Sequence, residues 1–143
     1  MTPPPTEHDC ASVELHDDRG EIEAIEDQIL TAVDRHDFPK SSRFAIKLAL
    51  EEAITNAFQH GHKTVPKGTP ITVEFDVNDD RVSLAVIDRG PGFAPSDVPD
   101  PTLDENLANP TGRGIMLMRA YMTEVSHKDS GRRVELVYRR PVD

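Results

Sequence analysis

The sequence has no tryptophan, two tyrosines and five phenylalanines, so aromatic residues make up only 5 % of it. Its core must therefore be largely aliphatic. The single cysteine, Cys10, excludes an internal disulfide. No run approaches the ~18 consecutive apolar residues of a membrane-spanning helix. The opening stretch Met1-Thr-Pro-Pro-Pro-Thr-Glu-His8 has neither the basic nor the apolar region of a signal peptide. The expectation is a cytoplasmic protein held together by side-chain packing. Basic residues are scarce too: 16 Lys and Arg stand against 26 Asp and Glu, a formal net charge of −10. That balance opposes long-range attraction to DNA, RNA or anionic lipid, so neither a nucleic-acid nor a membrane partner is expected. It leaves room for a phosphate ligand, which backbone N–H groups and a magnesium ion can hold inside an acidic protein.

What is present reads as one domain of 143 residues. Residues 1–10 are Pro-rich and read as a flexible tail; residues 11–143 form the domain. Ser12 to His16 alternates as a first strand, and Asp17-Asp-Arg-Gly20 reads as a turn. Glu21 to His36 carries Ile22, Ile25, Ile29, Ala32 and Val33 at helical spacing. A second helix runs from a cap at Ser41 or Ser42 to about His60, with Gly61 as its stop. Ile71–Val77 and Val82–Ile87 form a hairpin about Asn78-Asp-Asp80. A long Pro-rich segment, about 94–111, reads as a lid. Gly112-Arg-Gly114 then opens a third helix to about Met122, whose methionines Met116, Met118 and Met122 suit packing. Strands Glu124–Lys128 and Arg132–Arg139 close the chain. This order predicts a partly antiparallel sheet with its helices grouped on one face, and it excludes an alternating βαβ array.

Within the second helix, Glu52, Asn56 and His60 recur every four residues. At about 100° per residue they form one slowly spiralling polar stripe. Ala45, Ala49 and Ala53 lie on or beside it, and Leu50, Ile54 and Ala57 lie further round, on the packing side. A carboxylate, an amide and an imidazole beside small residues suit a site on a rigid element. The same stripe also suits a solvated face.

Two glycine islands follow. In Asp88-Arg-Gly90-Pro-Gly92-Phe93, a carboxylate ends a strand and can accept from an exocyclic amino group, while the glycines permit close approach of a flat ligand. A plain turn after a strand fits the same residues. In Thr111-Gly112-Arg113-Gly114, free N–H groups at a helix start offer a phosphate site. A hinge fits as well. His60 and His62 are spaced as loop histidines, with no further ligand at metal spacing.

Together and in order, the three islands resemble the N, G1 and G2 boxes of the GHKL ATP-binding superfamily, in its small anti-sigma-factor serine/threonine kinase form. Glu-Ala-Ile-Thr-Asn-Ala-Phe-Gln-His is similar to the Glu-x-x-x-Asn-x-x-x-His pattern. Asp-Arg-Gly-Pro-Gly-Phe is similar to Asp-x-Gly-x-Gly-Phe. The resemblance covers roughly residues 12–140. It implies an α/β (α+β) two-layer sandwich, with a mixed, mainly antiparallel sheet covered on one face by three helices and an ATP lid. It implies ATP and Mg²⁺ as cofactors, with Asn56 as the metal ligand and Glu52 as the general base for a serine or threonine hydroxyl. Asp88 would receive the adenine amino group, and Gly90 and Gly92 would admit the nucleotide. Thr111, Gly112, Arg113 and Gly114 would lie against the phosphates, and His60 would support the nucleotide site. The implied substrate is an anti-anti-sigma (STAS) protein, with a sigma factor as a further partner and a homodimer as the assembly. Two other readings share these boxes: a nucleotide-responsive binding module without phosphotransfer, and a histidine-kinase-like ATPase domain acting in trans.

Overall fold

Five stretches of apolar–polar alternation pair into one sheet. The structure is a computed structural model that describes residues 9–61, 65–90, 121–129 and 132–141. The strands are β1 (Asp9–Leu15), β2 (Ile71–Val77), β3 (Arg81–Ile87), β4 (Glu124–Lys128) and β5 (Arg133–Arg139), in the spatial order β1-β2-β3-β5-β4. All four pairings are antiparallel. The mixed sheet that the resemblance implied is thus wholly antiparallel among the described strands. Connection length explains β2–β3 and β4–β5: tight turns can join only antiparallel neighbours. Asn78 shapes the first of these turns, its Oδ1 accepting from the backbone N–H groups of Asp80 and Arg81 at 2.8 and 2.9 Å. β1 starts at Asp9, two residues inside the stretch read as tail, and pairs Asp9 with Val77 and Cys10 with Asp76.

Register sorts the two faces. Val13, Val73, Val86 and Val134 form one row across the sheet, and Ala11, Phe75, Leu84, Leu136 and Val125 form the next. These rows belong to the core that includes the apolar residues of both helices. The intervening row, Ser12, Glu74, Ala85, Glu135 and Ser126, faces the other way. There Arg133 pairs with Glu74 at 2.9 Å and Glu135 at 2.7 Å, and Lys128 with Glu135 at 2.7 Å. Lys128 and Arg133, in that order, hold the Glu135 carboxyl below its ordinary value.

α1 (Arg19–Arg35) begins earlier than expected, because Asp18 caps it by accepting from the Glu21 N–H at 2.9 Å. The supposed turn is therefore the helix start. Ile22, Ile25, Ile29, Ala32 and Val33 are all buried, as their spacing predicts.

α2 (Lys40–Asn56) departs from expectation at both ends. Its N-cap is Pro39, with no side-chain cap bond. Proline has no N–H to satisfy at such a boundary, and its φ is already near the helical value. Ser42 is instead buried, its hydroxyl 2.7 Å from that of Tyr138 on β5. Ser42→Ala or Tyr138→Phe alone should cost about 1–2 kcal/mol, by orphaning the partner hydroxyl. The double variant should cost little more than either single one. Urea midpoints check this; fully additive losses would refute the pairing.

The α-helix then ends at Asn56, and Ala57–Gly61 forms a π turn rather than a continuation to His60. α1 and α2 lie over the same face of the sheet: α1 packs on β1 and β2, and α2 on β3 and β5. Met122 is buried in the core. The expected third helix up to residue 120 and the whole expected lid lie outside the described residues.

Candidate functional site at the C-terminal end of the second helix

Connections decide where the polar stripe goes. β1 ends where β2 begins (Leu15 opposite Ile71), and β3 ends beside them (Ile87 opposite Thr72). α1 starts at this end and runs back to the far end. There His36 bridges Asp9 at 3.1 Å and Asp79 at 2.6 Å. Arg140 lies over the Phe38 ring at 4.2 Å and donates to the carbonyls of His36, Asp37 and Asp79. The chain reverses through Asp37, whose φ of 57° is tolerated by aspartate. α2 then returns. Arg19 at the start of α1 meets Glu51 near the end of α2 at 3.0 Å, which brings the last turns of α2 back to the end where β3 finishes.

Glu52, Asn56, Asp88 and Gly90 therefore share one end of the sandwich. Glu52 and Asn56 are half-buried, between the buried Ala49 and Ala53 and the exposed Thr55. The small alanines let α2 settle closely on the sheet and keep the stripe at the margin of the core rather than in open solvent. Glu51 and Glu52 differ by one helical step of about 100°, and that step separates their environments: Glu51 is engaged by Arg19, whereas Glu52 lies on the stripe with Asn56. The π turn begins directly after Asn56. Such turns hold more residues per turn, so a four-residue step no longer stacks as in an α-helix. The backbone at His60 therefore no longer follows the α-helical repeat on which the expected stripe was drawn. It lies in the π turn, and the His60 side chain lies outside the described residues.

Asp88 continues from β3. Its Oδ1 accepts from the Gly90 N–H at 2.8 Å, and its own N–H donates to the Arg132 carbonyl at 2.9 Å. The carboxylate is thereby aimed by its own turn, an arrangement that aspartate favours. Gly90 is buried. Arg89 reaches back over the adjoining strand ends: it donates to the Pro70 carbonyl, to Glu14 Oε1 at 3.3 Å and to Thr72 Oγ1 at 3.4 Å. It ties the Asp88 turn to β1 and β2. The sequence offered it only as the variable position of a glycine motif, so this fastening role was missed. Gly92, Thr111, Gly112, Arg113 and Gly114 lie outside the described residues.

The donor set at this end suits a hard cation and a nucleotide: an amide oxygen at Asn56, a carboxylate at Glu52 and a turn-fixed carboxylate at Asp88. Among the described residues no cluster of three or more His, Cys, Asp or Glu stands ready to hold a metal unaided.

Residues 17–138 match the family described as "Histidine kinase-like ATPase domain". The chain belongs to this family. Among its relatives, "Serine-protein kinase RsbW" of Bacillus licheniformis is 35 % identical over 95 residues, covering 60 % of this chain and 58 % of the relative. The protein of the same name from Staphylococcus aureus (strain bovine RF122 / ET3-1) is 30 % identical over 92 residues, 59 % of this chain and 58 % of the relative. The matches thus span somewhat over half the length of these curated relatives. This membership agrees with the GHKL resemblance that the three boxes indicated. Among the described residues no helix is long and apolar enough to cross a membrane.

Proposed function

We propose that the protein is an ATP–Mg²⁺-dependent serine/threonine protein kinase of the anti-sigma regulatory type. In this reading it phosphorylates a STAS-like anti-anti-sigma protein, and it also binds a sigma factor and forms a homodimer. The observation that carries the reading is the convergence of Glu52, Asn56 and the Asp88–Gly90 turn at one end of an ATPase-family fold. The likeness to serine-protein kinases supports the choice of a hydroxyl acceptor.

Bound ATP with Mg²⁺ would supply the transferable phosphoryl group and the neutralisation of its charge. The chain's own residues do the rest. Asn56 offers a neutral amide oxygen to the cation, so it ligates without adding negative charge beside the phosphates. Asp88 accepts from the exocyclic amino group of the base and fixes the nucleotide's orientation. Gly90, lacking a side chain, lets the ligand approach the backbone. Glu52 takes the proton from the incoming hydroxyl. Most of the acceleration comes from positioning and electrostatics, with the base adding its share. Gly92 admits the nucleotide with Gly90; Thr111, Gly112, Arg113 and Gly114 complete the phosphate side of this proposal, and His60 supports the nucleotide site.

The test is incubation with ATP–Mg²⁺ and STAS-domain proteins from the same genome, followed by phosphosite mass spectrometry. The expected product is phosphoserine or phosphothreonine on one of them, dependent on Mg²⁺. No transfer to any such protein, at saturating nucleotide, would overturn the kinase reading.

A further inference from the structure

Glu26 lies on the apolar stripe of α1, four residues after Ile22 and three before Ile29, and only 2 % of it is exposed. Buried carboxylates normally have partners for both oxygens. Here Arg19 Nη2 donates to Oε1 at 3.2 Å, but Oε2 is buried without a hydrogen-bond partner among the described residues. The same Arg19 nitrogen donates to Glu51 Oε1 at 3.0 Å, so the two glutamates meet at one guanidinium. Glu23 also pairs with Arg19, at 3.4 Å, and Lys47 lies one turn before Glu51 on α2. Three carboxylates thus gather around one arginine and one exposed lysine. Two ionised carboxylates cannot hydrogen-bond to each other, because both only accept. A single proton removes the conflict by turning one acceptor into a donor.

We propose that Glu26 is protonated in the folded protein and donates that proton in a hydrogen bond to Glu51, so that Arg19, Glu26 and Glu51 form a proton-dependent clamp between the start of α1 and the end of α2. The clamp grips α2 one residue before Glu52. It stands independently of the kinase reading.

Burial first, then hydrogen bonding to Glu51 and the Glu51 charge, raise the Glu26 carboxyl from 4.5 to about 7. Arg19 and Lys47 pull the other way and are outweighed. Above its ordinary value the folded form holds a proton that the unfolded chain releases. Stability from Glu26 is therefore fully present below about 4.5 and is lost as the pH rises through about 7. The Asp9, Glu21 and Glu135 carboxyls are shifted downward, so their contributions change on the acid side of this window.

Glu26→Gln imitates the protonated side chain and cannot ionise. Thermal melts of wild type and Glu26→Gln are compared from pH 5.5 to 8.5, where the wild type loses stability relative to the variant as the pH rises. The variant should melt higher at the alkaline end, with the difference growing by about 5 °C. An ordinary ionised partner of Arg19 would behave in the opposite way, with Glu26→Gln the less stable protein at pH 8.5; that result, or parallel curves, would overturn the proposal. A second measurement does not depend on the variant's folding. The carboxyl ¹³C resonance of Glu26 in the wild-type protein should titrate near neutrality, and in Glu51→Gln it should titrate lower. Titration of Glu26 in the ordinary glutamate range would also refute the clamp.

Discussion

Glu52→Gln should lower phosphotransfer to the protein substrate by about 10²–10⁴-fold and leave the affinity for ATP–Mg²⁺ nearly unchanged. At about 1.36 kcal/mol per decade, that is a loss of about 3–5 kcal/mol of transition-state stabilisation. The amide keeps the size and place of the carboxylate but cannot take the hydroxyl proton. Single-turnover transfer and a nucleotide titration, run side by side, separate the two quantities. Equal losses in binding and turnover would make Glu52 a nucleotide ligand rather than a base. An unchanged rate would remove general-base catalysis from the mechanism. If partner binding still responds to nucleotide while transfer is absent from the wild type itself, the chain is a nucleotide-responsive module. Glu51 is the natural control for geometry: it precedes Glu52, yet its carboxylate is occupied by Arg19.

Leu50→Ala should destabilise the fold by about 2–5 kcal/mol. Leu50 is wholly buried on α2, in the core shared with the inner face of the sheet. Truncation removes apolar contact and leaves a cavity that the sheet cannot close. At about 3 °C per kcal/mol the melting temperature falls by roughly 6–15 °C. Ser41→Ala is the informative comparison. Ser41 is exposed and Pro39 holds the N-cap position. Its loss should stay within about 0.5 kcal/mol, where loss of a true serine cap would cost about 1 kcal/mol. Urea denaturation of both variants checks the pair. A small effect at Leu50, or a large one at Ser41, would contradict the packing of α2.

The strands were legible because alternation has a short period and needs no distant information. β2 and β4 carry the bounds their patterns suggested, and β3 and β5 differ by one residue at their starts. The apolar spacing of α1 likewise named its buried face correctly. Failures came where two local signals competed. Asp17-Asp-Arg-Gly20 looks like a turn, but Asp18 is an equally good cap, and capping won. Ser41 and Ser42 look like caps, but burial against Tyr138 claimed Ser42 and left the boundary to Pro39. The π turn after Asn56 has no pattern of its own in the sequence, so the helix was extended to His60. Glu26 did leave a trace, as a carboxylate at apolar helical spacing, and Arg89 left none.

The residues by themselves offered candidate side chains for a phosphate and a metal, and they determined that the core is aliphatic and that the helices share one face of a hairpin-rich sheet. Composition, local period and motif spacing are properties of neighbouring residues, and a chain carries them wherever it folds. Tertiary structure alone decided that α1 runs away from the site and α2 returns to it, bringing Glu52 and Asn56 to the end where Asp88 stands. It alone parted Glu51 from Glu52, by setting Arg19 from 32 residues earlier against one of them. It also put Glu26 and Glu51 around that arginine. Such meetings depend on the path of the backbone through the core, and no window of sequence contains both partners.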